Sequence, residues 1–177
     1  MEPHVENLFK DGTIQQVNNE KNNVSIKITK HVDYKLKVYN GKKLIKQLLS
    51  SEEGFIHIKW SRNGQYFSVL NITYVGDWVY DGDLYIFQMS NENVKQILLE
   101  KDTGAGAIGF SNNNKYIAYG LNNKLILYEI NTKKKIVITI PTEDFGSISS
   151  AAWNEKDNQI FIFYVISNSP KYYLISL

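Results

Sequence analysis

The chain of 177 residues has no cysteine, which excludes a disulfide framework and any thiolate metal site. Proline occurs only three times, so few positions interrupt a hydrogen-bonded ladder. No apolar run approaches the ~20 residues of a membrane helix. The N-terminal stretch MEPHVENLFKDG carries acids and lacks the apolar core of a secretory signal. A soluble, cytoplasmic protein without a membrane partner is the expectation. The net charge is only +2, which argues against a nucleic-acid partner, where a basic face and a pI above ~9 are expected. What the chain does have is 43% hydrophobic and 13% aromatic residues, a composition that excludes disorder. Twelve Tyr and eight Phe suit strands held by aromatic and β-branched pairs. The length suits one domain, 1–177, since ~150 residues bury ~70% of the unfolded surface.

Four times an apolar residue opens a short, Asn-rich turn, and a run of β-formers follows. The copies read Val17-NNEKNN-Val24-SIKI, Trp60-SRNGQ-Tyr66-FSVL, Phe110-SNNNK-Tyr116-IAYG and Trp153-NEKDNQ-Ile160-FIFY. Successive anchors lie 43, 50 and 43 residues apart, a spacing characteristic of stacked repeat units. Each copy alternates apolar runs with turn residues, the period-two pattern of half-buried strands. The patterning predicts strands at 13–17, 24–30, 34–39 and 43–49, then 55–60, 65–75, 82–89 and 94–99. The third copy gives 106–110, 115–121, 124–130 and 135–140. The last copy gives only three, at 147–153, 159–166 and 171–177. The blades therefore occupy about 12–49, 54–99, 105–140 and 146–177.

Four-stranded antiparallel meanders at a 40–50-residue period define an all-β fold, a β-propeller of about four blades. The pattern W/F-S-x-x-(G/N)-x-Y before a strand resembles WD40-like propellers, and more closely the TolB-type repeat, with Trp60-Ser61-Arg62-Asn63-Gly64-Gln65 the nearest match. The Gly-His and Trp-Asp pairs of WD40 repeats are absent, so the resemblance carries architecture and not partner assembly. Where TolB-type blades accompany a serine hydrolase, that catalytic domain would be an additional segment. The last blade lacks a strand, and an open edge is normally covered. Residues 1–10, with Val5–Phe9 as the strand, are placed to close a four-bladed ring in one chain. The competing arrangement joins two chains edge to edge, as a larger ring or a face-to-face dimer.

Several motifs look chemical. Gly104-Ala105-Gly106-Ala107-Ile108-Gly109 is a literal G-x-G-x-x-G, but an Asn-rich turn follows where a dinucleotide site requires a helix N-terminus. His57 alternates with Ile56 and Ile58, which reads as a hydrogen-bonded structural histidine. His31 and Asp33 have no second pair to complete a metal site. Asp77, Asp81 and Asp83 lack the EF-hand spacing, and Asp81-Gly82 reads as a turn pair. No cofactor or metal is expected.

Strand order sends the loops between second and third strands, and those between blades, to one face. That face collects Asp33, Glu52, Glu53, Asp77, Asp81, Asp102, Glu143 and Asp144, with Trp78, Tyr80 and Phe145 nearby. Trp78 lies in an insertion that lengthens the second copy, and loops that break a repeat often carry binding. The expected function is a non-enzymatic interaction module whose acidic face docks a basic protein or peptide. The alternative is a small-ligand or carbohydrate-binding, lectin-like propeller. An enzyme or hydrolase accessory domain comes last. The chain is expected to be a monomer or a homodimer.

Overall fold

The computed structural model describes residues 13–75, 79–101, 108–121, 123–141, 147–166 and 169–177. Among them there is no helix, hence none able to cross a membrane, and the strands form four antiparallel sheets. Sheet 1 contains β1 (Thr13–Asn18), β2 (Val24–Lys30), β3 (Tyr34–Asn40) and β4 (Lys43–Ser51). Sheet 2 contains β5 (Phe55–Trp60), β6 (Tyr66–Val75), β7 (Val79–Ser90) and β8 (Asn93–Glu100). Sheet 3 contains β9 (Ile108–Phe110), β10 (Tyr116–Leu121), β11 (Lys124–Glu129) and β12 (Lys135–Thr139). Sheet 4 has β13 (Ser147–Trp153), β14 (Gln159–Ile166) and β15 (Ser169–Ser176). In every sheet the strands follow chain order, so each is a meander.

Three of the four Asn-rich turns are built alike because each places one residue in the left-handed region. Gly64 (φ 72°), Asn114 (φ 59°) and Asp157 (φ 54°) occupy that position, and Gly, Asn and Asp are the residues that tolerate it best. The amide of each bonds back to the turn's first residue: Gly64 to Ser61, Asn114 to Ser111 and Asp157 to Asn154. Ser61 Oγ and Ser111 Oγ accept the amides of Tyr66 and Tyr116 at 2.9 Å, and Asn154 Oδ1 accepts that of Gln159 at 3.1 Å. Side-chain hydroxyls and amides thus satisfy the backbone where the ladder begins.

Alternating side chains of facing sheets meet in three apolar clusters. Ile26, Ile28, Leu36 and Val38 of sheet 1 pack on Phe67, Val69 and Phe87 of sheet 2. Tyr66, Leu84 and Ile86 meet Ile117, Tyr119 and Ile126 of sheet 3. Leu125 and Leu127 meet Ile160, Ile162 and Tyr164 of sheet 4. Burying each large apolar side chain contributes ~1.5–3 kcal/mol, so these clusters hold the array together. Among the described residues no cluster joins sheet 4 back to sheet 1. The sheets are not closed into a ring; they form a partial propeller. The expected closing strand Val5–Phe9 lies outside the described residues.

Candidate functional site

The second sheet carries the longest hairpin among the described strands. β6 has 10 residues and β7 has 12, against 6 each for β10 and β11. Pairing runs unbroken from Tyr66 opposite Gln88 to Val75 opposite Val79. The insertion over 75–81 reads equally as a binding loop or as an extended hairpin; its described residues, Val75 and Val79–Asp81, are strand, as the hairpin reading has it, and Asp81-Gly82 lies within β7, not in a turn. The reason is close backbone approach: a Cβ on Gly82 would lie 2.4 Å from the Asn71 carbonyl oxygen, so glycine serves the strand here.

Of the acidic-face residues, Glu52 and Glu53 are exposed in the turn joining sheets 1 and 2, where Ser51 Oγ accepts the Glu53 and Gly54 amides. Tyr80 and Asp81 fall in β7, opposite Tyr74 and Thr73. Asp77, Trp78, Asp102, Glu143, Asp144 and Phe145 lie outside the described residues. Among those described, no cluster of three metal-ligating side chains occurs. The end of the G-x-G-x-x-G motif, Ile108 and Gly109, is in β9 and not in a helix; Gly104–Ala107 lie outside the description.

His57 departs from the expected structural histidine. It is exposed, has φ 53°, and sits at a register shift between Ile56 and Lys59. The bulge turns the alternation off for one residue. Lost solvation, then the Lys59 charge, hold its pKa below the usual histidine value.

Polar contacts that the sequence does not advertise join turns of neighbouring sheets at one end of the array. Asn19 Nδ2 donates to the Gly64 carbonyl at 2.8 Å, and the Asn63 amide donates to Asn114 Oδ1 at 3.2 Å. The Asp157 carboxylate accepts the Asn112 and Asn113 amides, both at 2.7 Å. The asparagines of the repeat are therefore inter-sheet latches as well as turn formers. Trp60 Nε1 donates to the Val17 carbonyl at 3.5 Å and Trp153 Nε1 to that of Gly109 at 3.1 Å, which makes both indoles wedges between sheets. Sheets 2 and 3 are further tied by Tyr119, whose hydroxyl donates to Glu100 at 3.0 Å while Lys135 pairs with the same carboxylate. Burial, then the Glu100 charge, raises the Tyr119 pKa far above the ordinary phenol value, so it remains a donor.

Among the described residues sheet 4 has three strands. Met89, Ile130 and Leu177 occupy one structural position, each amide bonding to the carbonyl of the residue that ends the preceding turn, Gln65, Lys115 or Asn158. Met89 is 6% exposed and Ile130 7%, but Leu177 is 54% exposed. Leu98 and Ile136 also correspond, lying opposite Ile86 and Leu127, and they are 9% and 50% exposed. Both differences arise where a fourth strand of sheet 4 would lie. The far face of that sheet also stands uncovered: Phe161 is 48% exposed, and Tyr172 and Leu174 are each 62% exposed.

The array is similar to parts of larger solved proteins. It superposes on the tricorn protease with a TM-score of 0.60 at 14% identity, covering 88% of this chain and 17% of that one. It superposes on the β-propeller domain of Cps50 (Swd1) from Myceliophteria thermophila with a TM-score of 0.63 at 10% identity, covering 93% of this chain and 54% of that one. The chain thus spans little more than half of one neighbour and about a sixth of the other. No protein-family model matches it, and no curated protein does. Together with the four meanders, these likenesses define the class of fold. The chain is a β-propeller repeat protein, WD40-like in architecture.

Proposed function

We propose that the chain is a non-enzymatic protein-interaction module whose acidic loop face docks a basic protein or peptide. The observation that carries this reading is the extended β6–β7 hairpin, paired out to Val75 and Val79. Its paired strands end at Val75 and Val79, and strand order puts their connection on the same face as the turn in which Glu52 and Glu53 are exposed. Acids steer a cationic partner toward such a surface, and an aromatic pair anchors it. The propeller domain of Cps50 (Swd1) supports a scaffold role by analogy of fold.

A basic-peptide array tests this directly. Lys/Arg-rich peptides should be retained by the wild-type chain. Retention should fall roughly tenfold with Trp78→Ala plus Tyr80→Ala, and should weaken as added salt shortens the Debye length. An array signal that the double substitution leaves unchanged would sink the reading. The ligand-binding alternative has one feature in its favour: a cleft of ≈ 450 Å³ between sheets 1 and 2, lined by Trp60, Lys59, Arg62, Glu20 and Lys21. Thermal-shift screening with glycans distinguishes it, because a bound ligand raises Tm.

A further inference from the structure

The two ends of the array differ in kind. On sheet 1, β2 reads VSIKITK and β3 reads YKLKVYN, a strict alternation. Its apolar set faces sheet 2, and its other face bears Lys27, Lys35 and Lys37, with Lys27 Nζ 5.0 Å from the Tyr39 ring centroid. The lysines are half-buried, and the small Ser25 and Thr29 on that face are buried. On sheet 4, β14 reads QIFIFYVI, apolar on both faces. Ile160, Ile162 and Tyr164 face sheet 3. The residues between them in the strand, Phe161 and Phe163, pack against Tyr172 on the far side at 5.7 and 5.2 Å between ring centroids. Leu174, opposite Phe161, and Ala152 extend that patch. Among the described residues of this face no side chain is charged.

We propose that this far face of sheet 4 is a homodimer interface, covered in solution by the same face of a second copy about a two-fold axis. It is a different surface from the acidic loops and does not depend on their role. Strands apolar on both sides belong to sheets covered on both sides, whereas alternation belongs to sheets with one polar face. Charge selects the partner. Packing sheet 4 head-to-tail on the sheet 1 end of another copy would bury Lys35 and Lys37 against a face with no acid, and burying charge without a counter-charge is costly. Sheet 4 against sheet 4 brings together aromatic, aliphatic and a few uncharged polar groups, the self-complementarity of an isologous contact.

Light scattering on a sizing column at about 50 μM is the first test. The expected mass is twice 20.4 kDa, reduced to that of one chain by Phe161→Lys plus Leu174→Lys, with the far-UV spectrum retained. A wild-type monomer overturns the proposal and leaves the face to a further segment or another protein. So does a dimer that survives the double substitution. Because the chain has no cysteine, single-cysteine variants report the geometry independently. Mild oxidation should give a covalent dimer from Leu174→Cys or Tyr172→Cys and none from Lys37→Cys. A covalent dimer from Lys37→Cys and from neither sheet 4 variant overturns the arrangement.

Discussion

The two faces of sheet 4 are equally apolar in sequence yet opposite in environment. Ile160, Ile162 and Tyr164 are fully buried against sheet 3, while Phe161, Tyr172 and Leu174 one residue out of phase are exposed. Since side chains alternate along a strand, a single stretch of chain supplies both faces. The difference therefore lies in what covers each face. Hydrophobicity alone does not fix the architecture; the sheet gains its apolar stabilisation only where a neighbour excludes water.

The sharpest break of this comparison is to truncate one residue on each face. Ile162→Ala removes a side chain buried among Leu125, Leu127 and Tyr164 and should cost about 2–5 kcal/mol. Urea unfolding of the isolated monomer form should show that loss as a lower midpoint. Phe161→Ala, measured below the dimerisation range, should change stability by under about 1 kcal/mol, because the ring is already half in water. Equal losses for the two would mean that the far face is covered within one chain.

A smaller effect tests how tightly the covered side is packed. A Cβ on Gly109 would lie 2.9 Å from the Ala151 carbonyl oxygen and 3.5 Å from the Trp153 ring. Gly109→Ala should push sheets 3 and 4 apart and cost about 1–3 kcal/mol. Trp153 fluorescence should shift with it, since the indole bond to the Gly109 carbonyl lengthens. The latch between the same sheets is weaker again. Asp157→Asn keeps a residue tolerant of φ 54° but gives up the charge and one acceptor of the Asn112 and Asn113 amides. A loss of about 1–2 kcal/mol in the urea midpoint is expected.

Most of the strand plan was legible because it depends on local pattern. Val24–Lys30, Phe55–Trp60, Ser147–Trp153 and Gln159–Ile166 begin and end where alternation and turn residues place them. The three-stranded last sheet was legible for the same reason. β7 was read short, because Asp81-Gly82 has turn chemistry and only the approach of the Asn71 carbonyl shows why a strand wants glycine there. His57 was misread because a bulge is a register event between two strands, invisible in one. The Asn112–Asp157 and Asn19–Gly64 latches were not legible. They join residues 45 apart in sequence, and the same asparagines already satisfied a local turn explanation. Pattern reports what each strand needs on its two faces; it does not report which neighbour provides it.

The smallest change in folding stability should give the clearest view of the other end. Lys35→Ile plus Lys37→Ile would rewrite β3 so that its far face resembles that of β14, leaving the set packed on Phe67 and Phe87 untouched. Both lysines are half-buried and neither is ion-paired to a described carboxylate, so the monomer should lose or gain only a few tenths of a kcal/mol. Association is where the substitution should register, because a contiguous apolar face on an end sheet invites a partner. With both ends apolar, copies can join at sheet 4 and again at sheet 1, and light scattering should show masses beyond the dimer that rise with concentration. If the double variant stays the size of the wild type, the polar alternation of sheet 1 is not what keeps that end from pairing. Some other covering of Ser25 and Thr29 would then have to do so.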